Sequence, residues 1–366
     1  LDWLTLKEKG IASQGFDQLA FFKTITKDSW LVPSVTALPE MIRTAFRVAT
    51  SPRPGPVALI IPHDVFDAEW DEEKVKIGVD DRAIRAPFVR SAPLAADVEA
   101  ALRLIRSARR PAVVFGGGVH GADATTEATA FAERLGGLVV TSLTGRGSVP
   151  ETAPYAAGTL NPLGSWAAIE LVKEADLVIW CGSKASQNTA MNWTLPLPEQ
   201  ATITIDADPA EHGRTFRPTV SLYGDVREAL RLLNTRLEPA ARAEWAARIA
   251  EIKAEGERMK RAEIESEGLP VHPARAMAEL AARLGEDDVV ISDASFSAGW
   301  LANYVPVRKA GRGVLYARGQ GGLGYSTPAA IGAAETRPGT RIVTVAGDGA
   351  FSYTIGELAT QSQRGQ

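Results

Sequence analysis

Near the end of this 366-residue chain, Gly347-Asp348-Gly349-Ala350-Phe351 follows an apolar run at 341–345. A carboxylate between glycines at the tip of a buried strand suits a hard cation such as Mg²⁺. The glycines let a ligand approach the backbone. A helix expected from Tyr353 onward offers its first N–H groups to a phosphate. One carboxylate plus a diphosphate is a usual way to hold Mg²⁺, which keeps few protein ligands. A plain strand-to-helix turn carries the same triplet, so this motif leaves both readings open.

Two further strand ends bear the same kinds of residue. The run 289–292 ends in Asp293-Ala294-Ser295-Phe296-Ser297, and 313–316 leads to Arg318-Gly319-Gln320-Gly321-Gly322-Leu323-Gly324. So many glycines after a strand mark a backbone that something approaches closely, or a tight loop against a neighbouring helix. In open α/β sheets, ligands bind beyond the carboxyl ends of the strands, where all three segments fall.

The elements that must position these residues are short β-branched runs alternating with Ala-rich helical stretches, which predicts an α/β fold of doubly wound parallel sheets with helices on both faces. Residues 1–75 hold a helix at 39–50, with Met41, Ile42, Ala45 and Phe46 on one face, and a strand at 57–61. One helix and one strand cannot cover a sheet, so this block is expected to be the end of a larger domain. A charged linker, 76–93, leads to a block at 94–235 that alternates helix and strand often enough for a complete doubly wound domain. A helical linker follows at 236–270, with Trp245, Ile249, Ile252 and Met259 at helical spacing. The last block, 271–366, opens on His272-Pro273, with proline in a helix's first turn. It is expected to be truncated as well.

Composition excludes several classes. Lys plus Arg total 40 and Asp plus Glu 44, a net charge of −4 with no polybasic block, so neither nucleic acid nor an anionic membrane is indicated. No apolar run approaches the roughly 20 residues that span a bilayer. The single cysteine, Cys181, rules out an internal disulfide and fits a reducing cytoplasm. Four histidines and one cysteine make a poor zinc set.

The three segments, in this order and spacing, resemble the diphosphate-binding domain of thiamine-diphosphate-dependent enzymes, in particular the acetolactate-synthase-like branch. The resemblance extends along nearly the whole chain. Lys23-Thr24-Ile25-Thr26-Lys27, and Arg53-Pro54-Gly55-Pro56-Val57 through Pro62-His63-Asp64, are similar to the end of the family's pyrimidine-binding domain. Arg110-Pro111 through Gly116-Gly117-Gly118 is similar to the start of its central domain, and Asp206-Ala207-Asp208-Pro209-Ala210-Glu211 and Tyr223-Gly224-Asp225 to its end. Gly356-Glu357-Leu358-Ala359-Thr360 resembles the family's segment just beyond the metal motif.

The resemblance implies that Asp348 holds Mg²⁺ and that Gly347, Gly349, Ala350 and Phe351 lie on the diphosphate, with Ser295, Phe296 and Ser297 as further contacts. It places Leu323 under the bent cofactor and the carbonyl of Gly321, beside Gly322, on its amino group. The family's activating glutamate and the Asn that closes its metal motif have no counterpart within the chain. The polypeptide alone is therefore expected to show no turnover. A homodimer or homotetramer is implied for the full-length form.

In this family the central domain holds FAD, an adenine nucleotide, or nothing. Gly116-Gly117-Gly118 reads as a nucleotide turn or a purely structural one. Thr144-Gly145-Arg146-Gly147 and Gly182-Ser183-Lys184 fall where acetolactate synthases contact flavin, but Lys184 stands where they carry Arg. The stretch Ser186-Gln187-Asn188-Thr189-Ala190-Met191-Asn192-Trp193 departs from their pattern, and so does Ser13-Gln14-Gly15. These departures argue against retained FAD and against acetolactate as product. Cys181 reads as a small buried hydrophobe, and His120 as a solvated loop residue or a nucleotide contact. Trp193 and Trp300 read as core residues or as the lining of a substrate channel.

The expected activity is a carboligase or decarboxylase acting on a 2-oxo acid. The alternatives are a C–C lyase or hydrolase of the same family, a nucleotide-binding protein without catalysis, or a degenerate member serving assembly only. Side chains over the cofactor would separate the catalytic readings.

Overall fold

A computed structural model of the chain describes residues 15–51, 53–71, 73 and 84–365. Ser13, Gln14, Gln366 and residues 74–83, which include the start of the expected linker, lie outside the described residues. The chain divides into two compact units, Leu1–Arg90 and Ser91–Gln366.

The first unit contains α1 (Gln18–Lys23), β1 (Asp28–Leu31), α2 (Leu38–Thr50) and β2 (Val57–Ile60). The two strands pair in parallel, Trp30 opposite Leu59. Proline in the first turn of α2 and Glu40 beside it favour the helix start. Lys27 donates its Nζ hydrogens to the carbonyls of Val48, at 2.5 Å, and Arg53, at 2.9 Å, across the helix's carboxyl end. Of the predicted apolar face, Ala45 is buried, whereas Ile42 and Phe46 are exposed.

The second unit is built on two parallel sheets. Helix α3 (Ala95–Ser107) leads into β3 (Pro111–Phe115), α4 (Thr125–Leu135), β4 (Leu138–Thr141), β5 (Ala156–Thr159), α5 (Trp166–Glu174), β6 (Leu177–Cys181), β7 (Ala201–Asp206), β8 (Val220–Tyr223) and α6 (Val226–Asn234). The strands lie in the order β5-β4-β3-β6-β7-β8. The order reverses between β3 and β6, as in doubly wound dinucleotide-binding folds. Every residue of β3 and of β6 is buried, because alternate side chains enter two different cores. Val113 and Phe115 pack with Leu102, Ile105 and Leu230 on one face, while Ala112 and Val114 pack with Leu171, Trp180 and Trp245 on the other.

Helix α7 (Ala243–Ile264) closes that second face. Trp245, Ile249 and Ile252 are buried, and the indole Nε1 of Trp245 donates to the carbonyl of Pro111 at 3.1 Å. Met259, expected on the same apolar face, is exposed. Gly256 lies in the middle of this helix, and a methyl added there would stand 3.5 Å from Ala167 Cβ, an ordinary contact. Gly256→Ala is therefore expected to raise unfolding stability by about 0.5–1 kcal/mol, through lost backbone freedom in the unfolded chain. Urea unfolding of wild type and variant checks this, and a lowered midpoint would contradict it.

The last part comprises α8 (Pro273–Arg283), β9 (Val289–Ser292), α9 (Phe296–Tyr304), β10 (Val314–Tyr316), α10 (Ser326–Thr336), β11 (Ile342–Val345), α11 (Asp348–Tyr353) and α12 (Glu357–Arg364). Its three parallel strands lie in the order β10-β9-β11. The side chain of His272 caps α8 by accepting from the Ala274 N–H at 3.3 Å. Among the described residues, no helix is long and apolar enough to cross a membrane.

Candidate functional site

The chain leaves β9, moves to β10 on one side, and crosses back to β11 on the other. The loops after β9 and β11 leave adjacent parallel strands at the carboxyl edge of the sheet, where the ligand crevice of such sheets usually lies. The three segments singled out by their chemistry all emerge at this edge.

Asp293 ties them together. Its backbone N–H donates to the carbonyl of Val345, at the end of β11, at 2.9 Å. Its carboxylate is fully buried and accepts four hydrogen bonds. Oδ1 receives the N–H groups of Ala294, at 2.8 Å, and Gly324, at 3.1 Å. Oδ2 receives the N–H and the hydroxyl of Ser326, both at 2.9 Å. Burial alone raises such a carboxyl's pKa, but the donors from Ser326, Ala294 and Gly324 outweigh it and hold Asp293 below the usual carboxylate range. The loop in turn rests on the segment after β11. The Thr354 hydroxyl donates to the Gly324 carbonyl at 3.1 Å, and a methyl on Gly324 would meet Thr354 Cγ2 at 2.9 Å. Sequence reading placed Asp293 among the site's hydroxyls and glycines but missed this role.

Gly347, Asp348 and Gly349 are exposed at the crevice. Side-chain atoms at Gly321, Gly322, Gly347 and Gly349 would meet no part of the chain within 4 Å. Gly321 needs its glycine for a φ of +67°, but Gly322, Gly347 and Gly349 have no such internal reason. Ser295 adopts φ +74° and ψ −151°, a costly conformation for a residue with a side chain, and the kind of strain that gathers at functional sites. Ser297 donates its hydroxyl to the carbonyls of Asp293 and Ala294, at 3.1 and 2.8 Å.

Two expectations change here. The helix after the metal motif begins at Asp348, not Tyr353, because the glycine-flanked triplet itself forms the first turn. The N–H of Phe351 is consequently used inside that turn, donating to the Gly347 carbonyl at 2.9 Å, and is not presented to a ligand. The N–H of Gly349 faces Asp348 Oδ1 at 2.8 Å, and the Ala350 side chain is buried. Among the described residues, no group of three or more His, Cys, Asp or Glu side chains could hold a metal. Asp348 thus belongs to no complete protein metal cluster among the described residues, and would hold a divalent ion alongside oxygens from a ligand. Around the crevice, Phe296, Leu323, Tyr353 and Ile355 expose apolar surface.

The central sheet explains its own glycines. A methyl on Gly116 would lie 2.2 Å from the Gly182 carbonyl oxygen, and one on Gly118 would lie 2.7 Å from Gly182 Cα. The two loops at the strand-order reversal are joined directly, Gly118 N–H to Gly182 carbonyl at 2.9 Å. Of the two readings of Gly116-Gly117-Gly118, the structural one accounts for the geometry without a nucleotide. Gly116→Ala is expected to destabilise the protein by about 3 kcal/mol through overpacking. Gly349→Ala, facing open space, should stay within about 1 kcal/mol of wild type. Equal urea midpoints for the two variants would contradict the contrast.

Other central-sheet candidates resolve similarly. Lys184 is exposed, and its carbonyl accepts from Arg214 Nη2 at 3.3 Å. Arg146 is 1% exposed and engaged by protein groups, so it is not placed to meet a flavin. Cys181 is fully buried, and burial raises its thiol pKa well above the ordinary value. His120 is half-buried rather than solvated. Its Nε2 lies 2.8 Å from the Arg146 carbonyl, and burial lowers its pKa. Trp193 is 57% exposed, so it is not a core residue, and it ends a run of three left-handed residues, Met191, Asn192 and Trp193. Trp300 packs edge-on against His272, with ring centroids 5.6 Å apart.

Comparison with known protein families matches residues 98–233 to the thiamine pyrophosphate enzyme central domain, and residues 293–366 to the thiamine pyrophosphate enzyme C-terminal TPP binding domain. The chain belongs to the thiamine pyrophosphate enzymes. The second match begins at Asp293 and takes in all three strand-end segments.

Among curated relatives, the chain is 33% identical to a probable acetolactate synthase large subunit of Methanocaldococcus jannaschii, over 96% of this chain and 60% of the relative. It is 36% identical to a probable 2-ketoarginine decarboxylase of Pseudomonas aeruginosa, over 95% of this chain and 59% of the relative. It is 33% identical to the acetolactate synthase large subunit of Corynebacterium glutamicum, over 93% and 54%. The chain thus spans between 54% and 60% of the length of these relatives.

The residues present fit thiamine diphosphate. The glycines with no neighbour at the Cβ position form an open cradle where a phosphorylated ligand could reach the backbone, and Asp348 lies at its edge. Leu323 presents an exposed apolar side chain from the same loop.

Proposed function

We propose that this chain forms part of a thiamine-diphosphate-dependent carboligase or decarboxylase acting on a 2-oxo acid. The observation that carries this reading is the convergence of Asp293–Ser297, Gly321–Gly324 and Gly347–Gly349 at one sheet edge, with Gly322, Gly347 and Gly349 required by no positive φ and no close neighbour. In this reading Asp348 holds Mg²⁺ together with diphosphate oxygens. Gly347, Gly349 and Ala350 lie along the diphosphate, with Ser295, Phe296 and Ser297 flanking it. Leu323 packs beneath the cofactor, and the Gly321 carbonyl accepts from its amino group. The bound cofactor supplies the means to break the bond next to the substrate's carbonyl, and the protein supplies orientation and electrostatics.

The relatives' names include both a synthase and a decarboxylase, so the reaction class is proposed at that breadth. The departures at Lys184 and at 186–193 weigh against acetolactate as the product. Phe296, Leu323, Tyr353 and Ile355 form an apolar rim that a second subunit would cover, which supports a homodimer or homotetramer in the full-length form. The lone Cys181 fits a reducing, cytoplasmic setting. With no glutamate of this chain assigned the activating role, the polypeptide by itself is expected to show no turnover.

The test uses the full-length protein. Thiamine diphosphate with Mg²⁺ should raise its melting temperature, and a panel of 2-oxo acids should yield CO₂ and a product whose structure identifies the reaction. Absence of any Mg²⁺-dependent stabilisation would sink the reading. Cleavage without CO₂ release would favour the lyase or hydrolase alternative.

A further inference from the structure

We propose that Arg146 is a positioning residue for the diphosphate site, setting two of its three segments through its contacts to the carboxyl end of α9 and to the last residue of β10. The proposal rests on the functional reading above. Arg146 follows β4 in the central sheet and is 1% exposed. Its guanidinium carries five N–H donors, and each is used. Nε donates to Glu151 Oε1 at 2.7 Å, and Nη2 to Glu151 Oε2 at 2.5 Å and to the Val305 carbonyl at 2.6 Å. Nη1 donates to the Leu301 carbonyl at 3.2 Å and to the Tyr316 hydroxyl.

These acceptors are the ones that matter for placement. The carbonyls of Leu301 and Val305 lie at the carboxyl end of α9; the Leu301 carbonyl also accepts the capping Val305 N–H at 3.1 Å, so Arg146 adds a second donor to a carbonyl of the last turn and one to the cap itself. A nine-residue helix is a rigid rod of about 13 Å. Fixing one end therefore fixes Ser295, Phe296 and Ser297 at the other. Tyr316 is the last residue of β10, and the loop holding Gly321, Gly322 and Leu323 follows it.

The surrounding contacts keep Arg146 in register. Glu151 Oε2 accepts the Val307 N–H at 2.8 Å, and the Glu151 N–H donates to the Val307 carbonyl at 2.8 Å. Gly311 donates its N–H to the Gly147 carbonyl at 2.8 Å, and a methyl on Gly147 would lie 2.2 Å from the Gly311 oxygen. A buried ion pair adds little stability over apolar packing of the same volume. A five-donor fork with fixed geometry adds register instead.

The test is made in the full-length protein with three variants: Arg146→Lys, Tyr316→Phe and Trp245→Phe. Trp245 is buried in the central core, in a different cluster from the buried residues of α9 and β10, so its variant controls for general destabilisation. The readings are the dissociation constant for thiamine diphosphate at saturating Mg²⁺, kcat at saturating cofactor, and KM for the 2-oxo acid. Arg146→Lys should weaken cofactor binding roughly tenfold and Tyr316→Phe about threefold, the range for lost buried hydrogen bonds. Both should regain near-wild-type kcat at saturating cofactor, with substrate KM moving less than about twofold. Trp245→Phe should lower the melting temperature and leave cofactor binding unchanged. Unchanged binding in Arg146→Lys and Tyr316→Phe would overturn the proposal, and so would equal weakening in Trp245→Phe. If Arg146→Lys does not fold, Tyr316→Phe decides alone. A wild-type protein that binds no thiamine diphosphate overturns the functional reading, and this proposal with it.

Discussion

Asp348→Ala in the full-length protein is expected to abolish the Mg²⁺-dependent thermal stabilisation by thiamine diphosphate and to leave the unliganded protein as stable as wild type. The second half follows from exposure. Asp348 is exposed, and among the described residues its carboxylate hydrogen-bonds to the neighbouring Gly349 N–H alone, so its removal should change folding stability by no more than about 0.5 kcal/mol. The first half follows from the donor set. With no group of three or more acidic, histidine or cysteine side chains to form a metal site among the described residues, no protein cluster replaces Asp348. A ligand present at a hundred times its dissociation constant stabilises by about 2.7 kcal/mol, so a hundredfold loss of affinity removes most of the effect. Changes to groups that merely support a metal ligand cost 10–100-fold, and losing a ligand should cost at least about that much. Asp348→Asn, which keeps one neutral oxygen, should fall between. Melting curves with and without Mg²⁺ and cofactor provide the measurement. Full stabilisation in Asp348→Ala would remove the basis for the metal assignment.

Asp348 also shows where sequence reading succeeds. The triplet Gly347-Asp348-Gly349 is informative because its chemistry is exposed and its glycines have no internal explanation. The strand at 289–292 has the same bounds in the structure as in the sequence pattern, because it is a β-branched run bounded by polar residues. The strands that escaped notice lack that signal. Ala156–Thr159 contains two alanines and a glycine, and Asp28–Leu31 begins on an aspartate. They are strands because a neighbour at the sheet supplies their hydrogen bonds, not because of local preference. Helix α9 was missed for another reason. It is apolar on most sides and carries Gly299, where a methyl would come within 2.9 Å of Leu163 Cβ, so its composition follows tertiary packing. The same limit applies to Arg146, whose value lies in acceptors 155 to 170 positions away.

Asp293 and Asp348 stand at the tips of neighbouring strands and look alike in sequence, yet their expected responses to substitution are opposite. Asp293→Ala should destabilise the protein by about 3–5 kcal/mol, because it leaves the buried N–H groups of Gly324 and Ser326 without an acceptor. Asp293→Asn keeps the volume but places an amide N–H₂ where one oxygen accepted, and should cost about 2–4 kcal/mol. Both variants should also weaken cofactor binding, since the Gly321–Gly324 loop loses its anchor.

The pH dependence has a definite sign. The folded protein holds the Asp293 carboxyl below its ordinary range, against the upward push of burial, through donors from Ser326, Ala294 and Gly324. Protons then bind the unfolded chain more readily than the folded one, so acid favours unfolding. The stabilisation is complete above the unfolded carboxyl value of about 3.9 and is lost as pH falls through the lower folded value. Wild-type stability should therefore fall on acidification across that window more steeply than Asp293→Asn, which has no carboxyl to titrate there. Urea midpoints for both proteins between neutral and acid pH decide the matter. Parallel curves would mean that the buried carboxylate contributes nothing to the acid limb and that the loop is anchored by other contacts.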